Sequence, residues 1–148
     1  YMPLAEKKYR FLFNGSAEDI EGYDQLPLHD DILILTKSLK DCMCYRILGY
    51  SAISLQGEAN KLSYETVNKL LKRFNQIIVN YDNDDQGIKS TKGLVASFKF
   101  KHFYIDDAKD LSDYIKEYGI TKAKELIDGK IRERRNNKQT TSEEFQGV

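Results

Sequence analysis

Residues 77–87 read Ile-Ile-Val-Asn-Tyr-Asp-Asn-Asp-Asp-Gln-Gly. Three consecutive β-branched residues without polar alternation predict a short strand buried on both faces. The acids Asp82, Asp84 and Asp85 follow at once, and Gly87 is small enough for a sharp turn from strand into helix. A strand that ends in carboxylates and turns directly into a helix is the unit around which the remaining chain can be read.

The same pattern recurs on either side. Residues 32–35, Ile-Leu-Ile-Leu, form a second continuous apolar run. A helix is predicted over 39–48, with Met43, Ile47 and Leu48 at helical spacing and Gly49 stopping it in the C′ position. A strand over 50–55 and a helix over 62–74 precede the central strand. Beyond it come a helix over 88–98, whose Leu94, Val95 and Phe98 share a face, and a strand over 100–105. Leu111, Tyr114, Ile115 and Tyr118 then mark one buried helical stripe, and Ala123, Ile127 and Ile131 another within 121–134. Strand–helix alternation of this kind predicts an α/β fold: an open sheet of about four mostly parallel strands flanked by helices.

The first 30 residues differ, with a strand expected over 9–13 and a turn at Asn14-Gly15. We read residues 1–30 as a small N-terminal β appendage packed on the core, 31–135 as the α/β domain, and 136–148 as a polar, disordered tail. Because Tyr1 precedes Met2, the chain is expected to be a piece of something longer.

Bulk composition narrows the function classes. Lys plus Arg and Asp plus Glu both number 23, so a net charge of zero provides no general footprint for nucleic acid, and phosphate contacts must come from a local patch or bound cations. The only cysteines, Cys42 and Cys44, are two apart on a predicted helix and point in different directions, which argues against a disulfide or a zinc site. No apolar run reaches membrane-spanning length and no signal-peptide pattern is present, so a cytoplasmic location without membrane contact is expected.

Ligand sites in open α/β sheets form outside the carboxyl ends of the strands. The predicted strands end in Thr36-Lys37-Ser38-Leu39-Lys40-Asp41, in Gln56-Gly57-Glu58, in the Asp82–Asp85 cluster, and in a segment with Asp106, Asp107, Lys109, Asp110 and Asp113. Carboxylates therefore converge on one rim. Crowded carboxylates are relieved by a bound cation or by protonation. Hard oxygen donors of this type suit Mg²⁺ or Mn²⁺, which can polarise a phosphoryl oxygen. Each motif alone reads equally well as capping: Asp82 and Asp84 before a helix, Asp110 with Asp113 in its first turn, and Ser38 with Asp41 at capping-box spacing. Tyr9, Phe11 and Phe13 suit burial of one strand face better than base stacking. Lys130, Arg132, Arg134 and Arg135 suit a solvated helix end, and neither His29 nor His102 has a partner at a recognisable spacing.

Taken together, these segments resemble a known family. Residues 77–87 resemble the Toprim pattern of an apolar strand followed by D-x-D and a nearby glycine. Lys109-Asp110-Leu111-Ser112-Asp113 resembles the K-D-P-x-D segment after the next strand in primase Toprim domains, and residues 31–58 resemble their first βαβ unit. The form Thr-Lys-Ser-Leu-Lys-Asp followed by Tyr-Asp-Asn-Asp looks most like Toprim-like primases of phages and mobile elements. The resemblance implies a Mg²⁺- or Mn²⁺-dependent nucleotidyltransferase making RNA primers from ribonucleotides on single-stranded DNA. A helicase or zinc-binding domain would lie on other sequence or another chain. It assigns Asp82, Asp84, Asp110 and Asp113 to the metal, and Lys40, Asp41, Gly87 and Lys109 to the substrate side. Most family members carry a glutamate after the first strand, where this chain has Lys37. An ammonium cannot ligate a metal but can meet a phosphate, with Lys40 beside it. Glu58 is a candidate to replace the missing carboxylate. A small Toprim nuclease and a catalytically silent nucleic-acid- or partner-binding domain are the alternatives the resemblance leaves open.

Overall fold

The computed structural model describes residues 4, 6, 19–55 and 62–136, the side chain of Asn136 excepted. The strand expected over 9–13, Glu58, and the tail beyond residue 136 lie outside these residues. Among the described residues five strands form one sheet: β1 (Ile20–Glu21), β2 (Asp30–Thr36), β3 (Ser51–Leu55), β4 (Phe74–Asn80) and β5 (Lys101–His102), in the order β1-β3-β2-β4-β5. Four of them are parallel, as expected; β1 joins β3 antiparallel at the edge. The helices are α1 (Leu39–Ile47), α2 (Tyr64–Leu71), α3 (Asp85–Phe98), α4 (Leu111–Tyr118) and α5 (Ile120–Asn136).

The unbroken apolar runs are explained by a sheet covered on both faces. Ile32, Ile34, Ala52 and Ile78 point into one core, closed by Cys42, Tyr45 and Leu48 of α1 with Leu111 and Tyr114 of α4 and Ala123, Ile127 and Ile131 of α5. The alternate residues Leu33, Leu35, Ile53, Ile77 and Val79 point into the other core, against Val67 and Leu70 of α2 and Leu94 and Phe98 of α3. β2, β3 and β4 thus each contribute to both layers with period two.

The buried stripe of α1 differs from expectation. Met43 and Ile47 are 59% and 64% exposed, while Asp41, Cys42, Tyr45 and Leu48 turn inward. Tyr45 decides this rotation: its fully buried hydroxyl donates to the side-chain oxygen of Asn80 on β4, an interaction apolar periodicity cannot reveal. The last strand is also shorter than expected. After His102 the chain still follows β4, with the Phe103 N–H donating to the Val79 carbonyl. The side-chain amides of Asn80 and Asn83 then take the carbonyls of Phe103 and Ile105, each at 3.1 Å, where a backbone ladder would have continued. Helix α3 begins a turn earlier than periodicity suggested because Asp84 caps it.

At the opposite edge Gly22, at φ +82°, lets the chain leave β1 close to β3; a Cβ there would stand 3.0 Å from the Ala52 carbonyl. The Arg46 guanidinium donates to the Gly22 carbonyl at 2.9 Å. Among the described residues no helix is long and apolar enough to cross a membrane.

The Tyr45–Asn80 bond predicts a measurable cost. Tyr45→Phe would leave a buried amide oxygen without its donor, so unfolding free energy should fall by about 1–3 kcal/mol in denaturant titration, with the circular dichroism spectrum unchanged. A variant as stable as the parent would show that Asn80 finds another partner.

Candidate metal centre

Strand order places the site. From β2 the chain moves through α1 to β3 on one side, then returns past β2 to lay β4 on its other side. The carboxyl ends of β2 and β4 therefore flank the point where the topology reverses, the usual seat of ligands in an open sheet. Thr36 is paired with Asn80, so the residues that follow, Lys37 and the Tyr81-Asp82 turn, leave the sheet side by side.

Three carboxylates meet there: Asp41, Asp82 and Asp110 each offer an oxygen within 4.8 Å of the others. Asp41 lies in the first turn of α1, where the Ser38 hydroxyl donates to its Oδ2 at 2.8 Å and the Ser112 N–H to its Oδ1 at 3.2 Å. Burial pushes the Asp41 carboxyl above its ordinary pKa, and the nearby Asp110 carboxylate adds to the rise against the opposing bonds from Ser38 and Ser112. Asp82 is buried directly after β4. Asp110 caps α4, accepting from the Asp113 N–H and the Ser112 hydroxyl at 2.8 Å each. Burial raises its pKa, but these bonds and Lys40 outweigh burial and hold it below the ordinary value.

The other predicted site residues surround this triad. Asp84 caps α3 through the Gly87 N–H at 2.8 Å, and that bond is the main reason its carboxyl sits below the usual pKa. Asp113 is exposed, contributes its backbone N–H to Asp110, and is not one of the three clustered carboxylates. Lys37 Nζ stands 3.0 Å from Asp82 Oδ2; Lys109 Nζ is 3.5 Å from both Asp82 and Asp84, and Lys40 is 3.6 Å from Asp110. Asp82 first, and then Asp84, raise the pKa of Lys109. The Asn83 N–H donates to the Lys109 carbonyl at 3.0 Å, so the two acidic loops are tied to each other.

Asp41 is therefore a member of the carboxylate cluster as well as filling the capping-box position its spacing suggested, its N–H donating to the Ser38 hydroxyl at 3.2 Å. The signal was present, since Asp41 falls in the first helical turn after β2, at the rim where the topology reverses, but capping explains the same spacing. Ser112 was not singled out, because a backbone donor leaves no mark in sequence. The donor set fits a small hard cation, which takes one or two carboxylates and completes its shell with water and phosphate: three carboxylate oxygens lie in one place, two of the three residues buried. It also carries more positive charge than such a centre needs, since three ammonium groups face four carboxylates.

A family model described as Toprim-like matches residues 34–115, more than half of the chain and every described residue of the site. No curated protein matches the sequence. Among solved structures, the DnaG primase catalytic domain bound to ssDNA is similar with a TM-score of 0.61 at 16% identity, covering 79% of this chain and 39% of that one. The primase fragment of the bacteriophage T7 primase-helicase protein gives 0.57 at 20% identity, covering 73% and 47%. The Aquifex aeolicus primase, with its zinc-binding and RNA polymerase domains, gives 0.58 at 19% identity, covering 82% and 31%. At these identities the likeness is one of fold, and the chain spans less than half the length of each of these proteins.

Gly87 links the fold to the centre. A Cβ on it would stand 2.1 Å from the Asp82 carbonyl oxygen, so the backbone that carries Asp82 must move. Gly87→Ala should cost about 1–3 kcal/mol or more through overpacking. Gly93→Ala, in the same helix with nothing within 4 Å of the added carbon, should instead stabilise by about 0.5–1 kcal/mol. Thermal unfolding of the two variants should move in opposite directions; equal shifts would remove the close approach of α3 to Asp82.

Proposed function

Because the chain belongs to the Toprim-like family, we propose that it is the Toprim module of a DNA primase of phage or mobile-element type, acting in the cytoplasm of a bacterial cell on single-stranded DNA and ribonucleotides. The observation that carries this reading is the meeting of Asp41, Asp82 and Asp110 at the reversal point of the sheet. Asp82 and Asp110 would hold Mg²⁺ or Mn²⁺, with Asp41 behind them and Asp84 and Asp113 at the periphery. When bound, the cation would neutralise charge developing on a phosphoryl group and hold reacting oxygens in line. Lys40, with a side chain 62% exposed beside Asp110, would meet a nucleotide phosphate.

Template contact must come from a local patch, since the net charge is zero. The edge formed by α3 and β5 supports one. Residues 86–105 contain Lys89, Lys92, Lys99 and Lys101 and no acid. A groove of about 390 Å³ on this edge is lined by Lys92, Lys99, His102 and Tyr104, with the two rings packed edge to face. Ammonium groups beside aromatic rings suit a single strand, whose phosphates and bases they can engage together. The lengths of the similar primases support a view of this chain as one part of a larger machine, with a zinc-binding template reader or a helicase elsewhere.

A second reading, a silent nucleic-acid-binding Toprim domain, is favoured by Lys37 on Asp82. Metal and nucleotide binding separate the two. The chain should bind Mn²⁺ weakly in calorimetry, and ribonucleoside triphosphate only with Mn²⁺ present. Asp82→Asn with Asp84→Asn should abolish both while circular dichroism stays unchanged. Unchanged Mn²⁺ affinity in that double variant would remove these residues from the site. Mn²⁺ binding without nucleotide binding would favour the silent domain, and Mn²⁺-dependent cleavage of DNA would favour a nuclease.

The isolated chain should make no detectable primers on a generic template with Mg²⁺ and ribonucleotides, because it has little non-specific DNA affinity of its own. Robust synthesis would show it to be self-sufficient.

A further inference from the structure

Lys37 differs from the other lysines of the rim. Its side chain is 28% exposed, against 62% for Lys40 and 55% for Lys109, and it is paired with a carboxylate only 8% exposed. Its position is also set by backbone. It directly follows Thr36, which is locked in register with Asn80, two residues before Asp82. An ammonium 3.0 Å from Asp82 Oδ2 is a full hydrogen-bonded ion pair, and two-metal phosphoryl-transfer centres use a second cation beside the first to stabilise the reacting oxygens.

We propose that the Lys37 ammonium is a built-in cation of this centre, seated on Asp82 in place of a second divalent ion, so that the domain takes one Mg²⁺ or Mn²⁺. The inference rests on the metal-dependent reading above and deepens it. Three donors and no lone pair make the ammonium unable to share a ligand shell with a metal. It can only occupy a carboxylate oxygen that a metal would otherwise use, and repel a dication nearby. The same ammonium can still stabilise a phosphate oxygen as a point charge. Lys109, 3.5 Å from the same Asp82 oxygen, strengthens the effect, because two ammonium groups converge on one carboxylate. The single cation would sit among Asp41, Asp82 and Asp110, whose carboxylate oxygens lie within 4.8 Å of one another.

The test is Mn²⁺ stoichiometry and affinity on the full 148-residue chain, by calorimetry and by electron paramagnetic resonance, which registers a coupled pair of ions as a broadened spectrum. The parent chain and Lys37→Arg should bind one Mn²⁺ and show no coupled pair. Lys37→Glu should bind two, with a coupled spectrum, or bind the first about tenfold or more tightly. Lys37→Gln, neutral and of similar reach, should raise first-site affinity less and serves if Lys37→Glu fails to fold. Two Mn²⁺ ions on the parent chain would overturn the proposal. So would unchanged stoichiometry and affinity in both Lys37→Glu and Lys37→Gln, or the absence of Mn²⁺ binding in every variant. If the variants respond as expected while no form binds ribonucleotide, the primase reading falls and the built-in cation stands.

Discussion

The pairing of β2 with β4 is the constraint on which the rest of the structure depends. These strands are not neighbours in sequence; the whole β3–α2 excursion separates them. Their register, from Asp30 opposite Phe74 to Thr36 opposite Asn80, sets which residues emerge together at the carboxyl end. A slip of β2 by one residue would turn its side chains over, sending Leu33 and Leu35 to the face that now packs α1, α4 and α5 and Ile32 and Ile34 to the other. The same shift would take Lys37 away from Asp82. Core packing and site geometry are thus held by one hydrogen-bond ladder.

Polar side chains extend that ladder where the backbone leaves it. Asn80 accepts from Tyr45 on α1 and donates to Phe103, and Asn83 reaches Ile105. Through these amides, β4 holds the helix that carries Asp41 and the strand that leads to Asp110. Ser112, at the start of α4, closes the circle by donating its N–H to Asp41. Each carboxylate is fixed by an element anchored to β4, so three acids from distant parts of the chain can be held within one coordination sphere.

Electrostatics then distinguishes this centre from a simple acidic one. Asp41, Asp82 and Asp110 would repel one another without compensation. The chain offsets that repulsion with ammonium groups on Asp82, Asp84 and Asp110, while burial raises the pKa of Asp41. The carboxylate cluster is thus compensated from within by the chain's own ammonium groups.

Alternation of apolar runs with helical stripes was enough to identify the α/β class and its parallel strands, since burial on both faces demands such runs wherever they pair. The D-x-D turn, the later acidic segment and the lysine in a glutamate's place were likewise visible as letters in order. What could not be read there is which of two explanations each acid obeys. Asp84 is a helix cap held by the Gly87 N–H; Asp110 is a cap and a member of the cluster; Asp41, which looked like a cap, belongs to the cluster as well. Sequence spacing records contacts along one helix, so it describes caps well. A carboxylate cluster assembled from the first turn of α1, the loop after β4 and the cap of α4 depends on strand order and register, which are long-range properties, and on backbone donors such as the Ser112 N–H that every residue but proline possesses. For the same reason the rotation of α1 escaped apolar periodicity: a tyrosine hydroxyl finding Asn80 across the core turned Met43 and Ile47 outward, and only the packed structure brings those two groups together.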